Sequence, residues 1–392
     1  QNRRLRILRL AQRIRLPVET QASDILAENT AGKFENLTAF LMRLVKVFPH
    51  SRILCALAGK QEGAVVHWAQ LFSLSYSSIA GIPPPDKPAG GNFTVFPHKG
   101  VLGSGEARKS MEEMAHKTHA NWVILTPSGI QETPYSEEIC FDGEKSCTDE
   151  ELCDMIRFAQ SLGLKVALKP TVNCDNGVWR ARISFFDHDV PCEPKWGNWF
   201  ESHIAFQKHY AQIAQRTGCE LFLTGCEMTM TEHREADWRK LIAEVRTVYD
   251  GPVGYNCDKY GEDHITWWDA VDVIASSGYY PIDDWENQLD RIEEVVKKYQ
   301  KPFLFSEAGC MNIHGSAQVP NNWELQGKED DTEQADWYLA MFSACEKRDW
   351  VKGFGIWDWP GSMERKSPYA VCDRPAEAVI AEEYSCRAKN RR

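Results

Sequence analysis

The 392-residue chain contains no run of 18 apolar residues, so no stretch of it reads as a membrane-spanning helix. It is also short of positive charge, with 45 Lys and Arg against 56 Asp and Glu and a net charge of −11. That balance argues against nucleic acid as a partner, because phosphate binding wants a basic face. None of its 13 cysteines forms a CxxC pair. The cluster Cys140, Cys147 and Cys153 has no histidine at ligand spacing, so neither a metal nor another cofactor is expected. The glycines of GVLGSGEARKS (100–110) lack the GxGxxG spacing of a dinucleotide-binding turn. The first residues, QNRRLRILRL, lack the continuous apolar core of a secretory signal. Several cysteines (Cys153, Cys226, Cys345) lie in apolar contexts, where a reduced thiol behaves as a small hydrophobe. These two features lead to the expectation of a cytoplasmic protein, with the native start left open because the chain begins with Gln. Oligomeric state has no signal.

What is present is a large apolar content and a surplus of aromatics. Hydrophobic residues make up 43% of the chain and there are 14 tryptophans, more than packing usually asks for. Charge is divided unevenly. Residues 1–90 hold 12 Lys and Arg against 6 Asp and Glu, and the remainder holds 33 against 50. The break falls at GIPPPDKPAGGN (81–92), which reads as a linker. Residues 1–92 are therefore expected to be a basic extension of unassigned structure, with helical spacing at LTAFLMRLVKVF (37–48) and no chemical motif. Residues 93–392 are expected to form the catalytic domain.

From about residue 95 short apolar runs alternate with helix-period segments, the pattern of repeated βα units. The expected strands are 99–103, 122–126, 165–169, 221–225, 252–256, 271–275, 302–306 and 353–357. Between them, TDEELCDMIRFAQSLG (148–163) opens with Thr148 and Glu151 in capping-box spacing. EADWRKLIAEVRTVYDG (235–251) and LDRIEEVVKKYQKP (289–302) carry apolar stripes at helical period. Eight strands with helices between them predict an α/β fold, a (β/α)8 TIM barrel with an N-terminal appendage.

In such a barrel the residues past each strand's C-terminal end line the mouth. Those positions hold Lys169 and then Asn173, Trp179 and Arg180 after the third strand, and Cys226 and Glu227 after the fourth. They hold Asn256 after the fifth, Tyr279 and Tyr280 after the sixth, Glu307 after the seventh, and Trp357 and Asp358 at the eighth. The loops 171–198 and 311–331 are long, which marks them as functional, and Trp179 and Trp323 in them read equally as ligand contacts or as loop packing. Two carboxylates from opposite sides of a barrel, among tryptophan and tyrosine, suit glycosidic bond cleavage. One carboxyl protonates the leaving oxygen while the other attacks the anomeric carbon or activates water. Each glutamate taken alone could equally be a helix cap or an ion-pair partner. Trp357 and Trp359 straddle Asp358, so alternation predicts that both face one side. Tyr279 and Tyr280 should face opposite sides, with one of them reaching the cleft. Trp238 and Trp267 read as core.

The stretches ANWVILTPSGIQETPYSEEI, LGLKVALKPTV, TGCEMTMTEHREADWRKLIAEVRTVYDGPVGYN, WWDAVDVIASSGYYPI and KPFLFSEAG carry a resemblance. Residues 99 to 380 resemble the clan A glycoside hydrolases, most of all glycoside hydrolase family 113, known for β-1,4-mannanases. The resemblance implies Glu227 as acid/base and Glu307 as nucleophile of a retaining enzyme acting on a β-linked polysaccharide or oligosaccharide, with mannan favoured. It further implies that Tyr279 or Tyr280 hydrogen-bonds the nucleophile and that Trp357 floors a sugar subsite. The chain departs from the clan in one place. Cys226 stands where the clan commonly has an Asn that donates to the sugar 2-hydroxyl, and a thiol is a weak donor. Asn173 or Asn256 could supply that contact instead. A xylanase or glucanase of the same clan is the alternative within the class. A non-catalytic carbohydrate-binding barrel and a lysine-dependent aldolase are alternatives outside it.

Overall fold

The computed structural model describes residues 88–389. The expectations for the basic extension and its helix at 37–48 fall on residues 1–87 and lie outside the described residues.

Eight parallel strands close into a barrel in which each pairs with the next in sequence and the last with the first. They are β1 (Ala89–Phe93), β2 (Trp122–Leu125), β4 (Lys165–Leu168), β6 (Leu221–Cys226), β7 (Val253–Cys257), β8 (Val273–Ser277), β9 (Phe303–Ala308) and β10 (Val351–Trp359). Two further strands, β3 (Ser128–Gln131) and β5 (Thr171–Cys174), pair in a small parallel sheet that continues past the ends of β2 and β4. The helices are α1 (Gly105–Thr118), α2 (Asp149–Ser161), α3 (Trp196–Thr217), α4 (Glu235–Val245), α5 (Trp285–Tyr299), α6 (Asp331–Glu346) and α7 (Pro375–Lys389). None of these helices is long and apolar enough to cross a membrane.

Seven of the eight barrel strands fall where apolar runs predict them. The first does not. Residues 99–103 form turns, and the strand is Ala89–Phe93, which begins inside the segment that composition marks as a linker and ends one residue past it. The reason is steric. A Cβ on Gly90 would stand 2.3 Å from the carbonyl oxygen of Trp122, so β1 can lie between β10 and β2 only with glycine there. Pro88 presses equally close from the other side, its carbonyl oxygen 2.4 Å from a Cβ built on Gly353.

Alternate strand residues fill the barrel: Trp122, Ile124, Ala167, Leu221, Leu223, Val273, Ala275 and Leu304 form one buried cluster. The opposite faces pack against the helices. Helix α2 opens with the expected capping box, in which Glu151 N donates to Thr148 Oγ1 at 3.2 Å and Thr148 N to Glu151 Oε2 at 2.9 Å. In α4 the stripe Trp238, Leu241, Ile242 and Val245 is buried, and in α5 the stripe Leu289, Ile292 and Val295. Trp238 and Trp267 stack at 5.0 Å in the core.

Two irregularities shape the rim of the barrel. On β6 the three steps from Leu223 to Cys226 span the two steps from Gly254 to Asn256 on β7. On β9 the two steps from Phe305 to Glu307 span the single step from Ser276 to Ser277 on β8. Each bulge shifts the pleat by one residue just before the strand ends and re-aims the side chains at the rim.

Candidate active site

The bulges deliver the two glutamates to one place. Glu307 lies on β9 and Glu227 directly follows β6, and both are buried. Glu227 adopts a left-handed φ of 53° while its N–H donates to Asn256 O at 2.8 Å, which turns the chain off the strand. One oxygen of each carboxyl group and the Cys226 Sγ all lie within 4.8 Å of one another. The two glutamates open into a cleft of about 360 Å³, whose walls include Phe96, Asn173, Trp179, Arg180, Tyr279 and Trp357.

The surroundings of the two carboxyls differ. Glu307 accepts from the Lys169 ammonium, from Cys226 Sγ at 3.1 Å and from the Tyr279 hydroxyl at 3.1 Å. Burial alone would favour its neutral form. The charges of Lys169 and Arg180 and these hydrogen bonds outweigh burial and hold its pKa below the ordinary carboxylate value. Burial and the Glu307 charge push both the Cys226 thiol and the Tyr279 phenol well up, so both remain neutral donors. Glu227 has sparser partners. It accepts from Trp179 Nε1 at 3.2 Å, and Arg180 stands 3.8 Å away. Further acids lie near it. Burial, followed by the Glu227 charge, pushes Asp258 up to about 7, and burial pushes Glu232 up to about 8.

The sequence-predicted residues separate into three groups. Glu227, Glu307, Asn173, Trp179, Arg180, Tyr279, Trp323 and Trp357 line the cleft. Lys169, Cys226 and Asn256 stand behind it, which corrects their expected contact with substrate. Lys169 is fully buried against Glu307, with its ammonium 5.4 Å from the Trp357 ring centre. Its charge is engaged by Glu307, which leaves no support for the aldolase alternative. Cys226 is turned onto Glu307 because the bulge on β6 aims it inward. Asn256 lies deeper still, donating to Ser277 Oγ at 3.0 Å and to Cys226 Sγ at 3.6 Å.

Tyr280 and Asp358 face away from the cleft, a second correction. The Tyr280 hydroxyl donates to buried Glu262 and its ring packs edge-on against Trp285 at 5.1 Å, as alternation from Tyr279 requires. Asp358 lines a small void with Met114, Ile380 and Tyr384 between the barrel and its outer helices, where burial pushes its carboxyl up to about 6. Trp357 and Trp359 do not share a side. Trp359 is buried against α1 with Nε1 donating to Ser110 O at 3.0 Å. Simple alternation fails there because the β1–β10 register slips between Gly91 and Phe93, opposite this stretch.

Of the eight further wall residues, Cys174, Gly177 and Val178 lie in the loop 171–198 and Asn321 in the loop 311–331, whereas Phe96, Asp258, Lys259 and Tyr369 are not reached by reading strand ends in the sequence. Asp258 and Lys259 immediately follow β7, so the strand-end rule extended by two residues reaches them. Phe96 lies three residues past β1 and is hidden by the misplaced first strand. Tyr369 lies ten residues past β10, in a loop with no motif.

Comparison with known proteins bears on this site. The family model of Glycoside Hydrolase Family 113 matches residues 92–373. A solved structure described as a complex of a GH113 β-1,4-mannanase is 51% identical, with a TM-score of 0.75, covering 76% of this chain and 98% of its own. The GH113 β-mannanase AaManA from Alicyclobacillus acidocaldarius, in complex with ManMIm, is 42% identical with a TM-score of 0.74, covering 76% and 97%. A β-glucuronidase from Ruminococcus gnavus, at 15% identity and a TM-score of 0.52, covers 76% of this chain and 50% of its own and shares the fold alone. A search of curated proteins gives no match. The family model spans all eight barrel strands but part of β1, and with them both glutamates and the donors that surround them, so the chain belongs to glycoside hydrolase family 113 and is a glycoside hydrolase.

Proposed function

We propose that the protein is a retaining hydrolase of β-1,4-linked mannan or manno-oligosaccharides, with Glu307 as nucleophile and Glu227 as acid/base. The observation that carries this reading is the approach of the two carboxyl groups. One oxygen of each lies within 4.8 Å of the other, a close approach that suits a retaining pair, whose carboxyl groups stand ~5–5.5 Å apart, better than an inverting one. The unequal surroundings support the division of roles. A nucleophile must be ionised, and Glu307 is the carboxyl held by an ammonium and two neutral donors.

In the first step Glu227 gives its proton to the glycosidic oxygen while a Glu307 oxygen attacks the anomeric carbon. The glycosidic C–O bond breaks, the leaving sugar departs with the proton, and a glycosyl ester forms on Glu307. In the second step Glu227, now a carboxylate, takes a proton from water. The resulting hydroxide oxygen attacks the same carbon and releases Glu307. Trp357 supplies a flat apolar face for a sugar ring. With Cys226 turned onto Glu307, Asn173 and Arg180 are among the polar groups in the wall that suit the sugar hydroxyls. Mannan as the substrate rests on the names of the 42–51% identical relatives.

The test has two parts. Proton NMR of a digest in its first minutes should show the β-anomer of the new reducing end, and α-anomer formed first would overturn the retaining mechanism. Reducing-end release from mannan, xylan and β-glucan should be highest on mannan. Turnover of xylan with none of mannan would replace the substrate.

A further inference from the structure

The β9–α6 loop carries Asn321 and Trp323 to the cleft wall, and its structure divides at Pro320. Its base is a short antiparallel pairing: Ile313 bridges Glu329, and His314 N donates to Lys328 O at 2.9 Å. Its tip, residues 319–325, folds on itself through turns in which Asn322 N donates to Val319 O at 2.8 Å and Leu325 N to Asn322 O at 3.0 Å. From outside the loop, among the described residues, the tip receives one hydrogen bond. The Tyr369 hydroxyl donates to Pro320 O at 2.6 Å, and both groups are buried. Trp323 itself is 56% exposed, and its ring meets the Trp179 ring edge-on at 5.8 Å.

Tyr369 is well placed to act as a fixed post. The backbone around it is held from the start of the β9–α6 loop, from α6, from Arg374 just before α7 and from β10. Asn312 N donates to Pro368 O at 3.0 Å, Gln334 Nε2 on α6 reaches Cys310 O at 2.8 Å and Pro368 O at 3.4 Å, and Arg374 reaches Pro368 O at 2.9 Å. Asp358 N on β10 donates to Tyr369 O at 3.3 Å. The ring packs edge-on against Tyr279 at 6.2 Å, in a small cluster with Met311 against which Leu325 and Trp357 also lie. One side chain thus touches the residue that holds Glu307 and, through its hydroxyl, the backbone that carries Trp323.

We propose that Tyr369 is a positioning residue whose hydroxyl tethers the tip of the β9–α6 loop, so that Trp323 stands ready as an aromatic platform for sugar units of a β-linked chain beyond those at the cleavage point. The platform half of this inference rests on the proposed polysaccharide substrate; the tether half does not. An exposed indole next to a cleft offers a flat apolar face to the C–H side of a sugar ring, and holding it in place before binding spares the ordering of a loop on association. The tether acts on binding of the chain. The reacting groups remain held by Lys169, Cys226 and Tyr279 whether or not it is intact.

Tyr369→Phe keeps the ring and its contact with Tyr279 and removes only the hydroxyl. A neutral hydrogen bond is worth about 1 kcal/mol net, so the variant should raise KM for long manno-oligosaccharides about three- to tenfold. Its kcat should stay within about twofold, and KM for the shortest oligosaccharide that is turned over should be unchanged. Trp323→Ala should reproduce this length-dependent loss, and adding Tyr369→Phe to it should bring no further change. Equal losses in kcat at every length would show that Tyr369 acts through Tyr279 on Glu307, and would overturn the proposal. An unchanged KM at every length would do the same.

A readout independent of turnover separates the tether from the substrate. The contribution of Trp323 to acrylamide quenching, taken as the difference between a chain and its Trp323→Phe variant, should rise when Tyr369 becomes Phe. If it rises while the parent leaves mannan intact, the tether stands and the substrate reading falls. If it is unchanged while the parent hydrolyses mannan, the tether falls and the substrate reading stands.

Discussion

At the end of β9, Glu307 is met by an ammonium, a thiol and a phenol; at the end of β6, Glu227 is met by one indole N–H, with a guanidinium 3.8 Å off. The two strand ends are built alike, each by a one-residue bulge, and are furnished oppositely. On the β9 side Lys169 lies directly against Glu307 and, with the charge of Arg180, whose ion pair is with Glu227, holds it ionised. Acids crowd the β6 side, where Asp258 and Glu232 are pushed toward their neutral forms. Two identical side chains on one scaffold can therefore take different parts in a reaction, and the difference lies in their neighbours.

The largest effect expected from breaking this asymmetry is at Glu307. Glu307→Gln should lower kcat on mannan by ~10⁴-fold or more, because the amide cannot attack the anomeric carbon. Glu227→Gln should cost ~10²–10⁴-fold on mannan. With an aryl glycoside whose phenol leaves without protonation, its first step should be nearly unaffected, as a burst of released phenol would show. If both variants respond alike to the leaving group, the division of roles is wrong.

Lys169→Met tests the cationic side directly. Removing one partner of a buried ion pair leaves the other uncompensated, a loss of about 3–5 kcal/mol. Because the Lys169 charge helps to lower the Glu307 pKa, its loss raises that pKa. Activity needs ionised Glu307 and disappears as pH falls through that value, so the acidic limb of the kcat/KM profile should move to higher pH.

The smallest effect concerns the acidic side. Burial lifts Glu232 to about 8, whereas an unfolded-chain Glu titrates near ~4.3. Between those values the folded state binds more protons than the unfolded one, so this group makes stability fall as pH rises. Glu232→Gln can still accept the 2.6 Å hydrogen bond from Tyr255. Its melting temperature should therefore decline less between pH 5 and pH 8 than that of the parent, by a few degrees at most.

How far these features could be read from sequence depends on what each one reports. Apolar runs and helical stripes report burial, so seven barrel strands and the faces of α2, α4 and α5 stand out in the sequence. The strand β1 does not. Its Gly90 is required for close backbone approach, and in the sequence the run Gly-Gly-Asn spells a linker. The positions of Glu227 and Glu307 at strand ends are likewise readable, since they come from counting strands. The bulges that aim them are not, because a bulge is a property of pairing between strands and leaves no mark on one strand alone. For that reason Cys226, Lys169 and Asn256 read as substrate contacts although they form the bed on which Glu307 lies. Tyr369 shows a further limit, since its role depends on a hydroxyl reaching a carbonyl 49 residues earlier in the chain.

The proposed mechanism turns on Glu307 as the nucleophile, and trapping the covalent intermediate tests that assignment most directly. An activated 2-deoxy-2-fluoro glycoside of the preferred sugar slows breakdown of the glycosyl ester, so peptide mapping by mass spectrometry can locate the label. The expected result is a single adduct on the peptide containing Glu307, with none formed by Glu307→Gln. Label on Glu227, or its absence in an enzyme that still turns over mannan with inversion, would contradict the assignment.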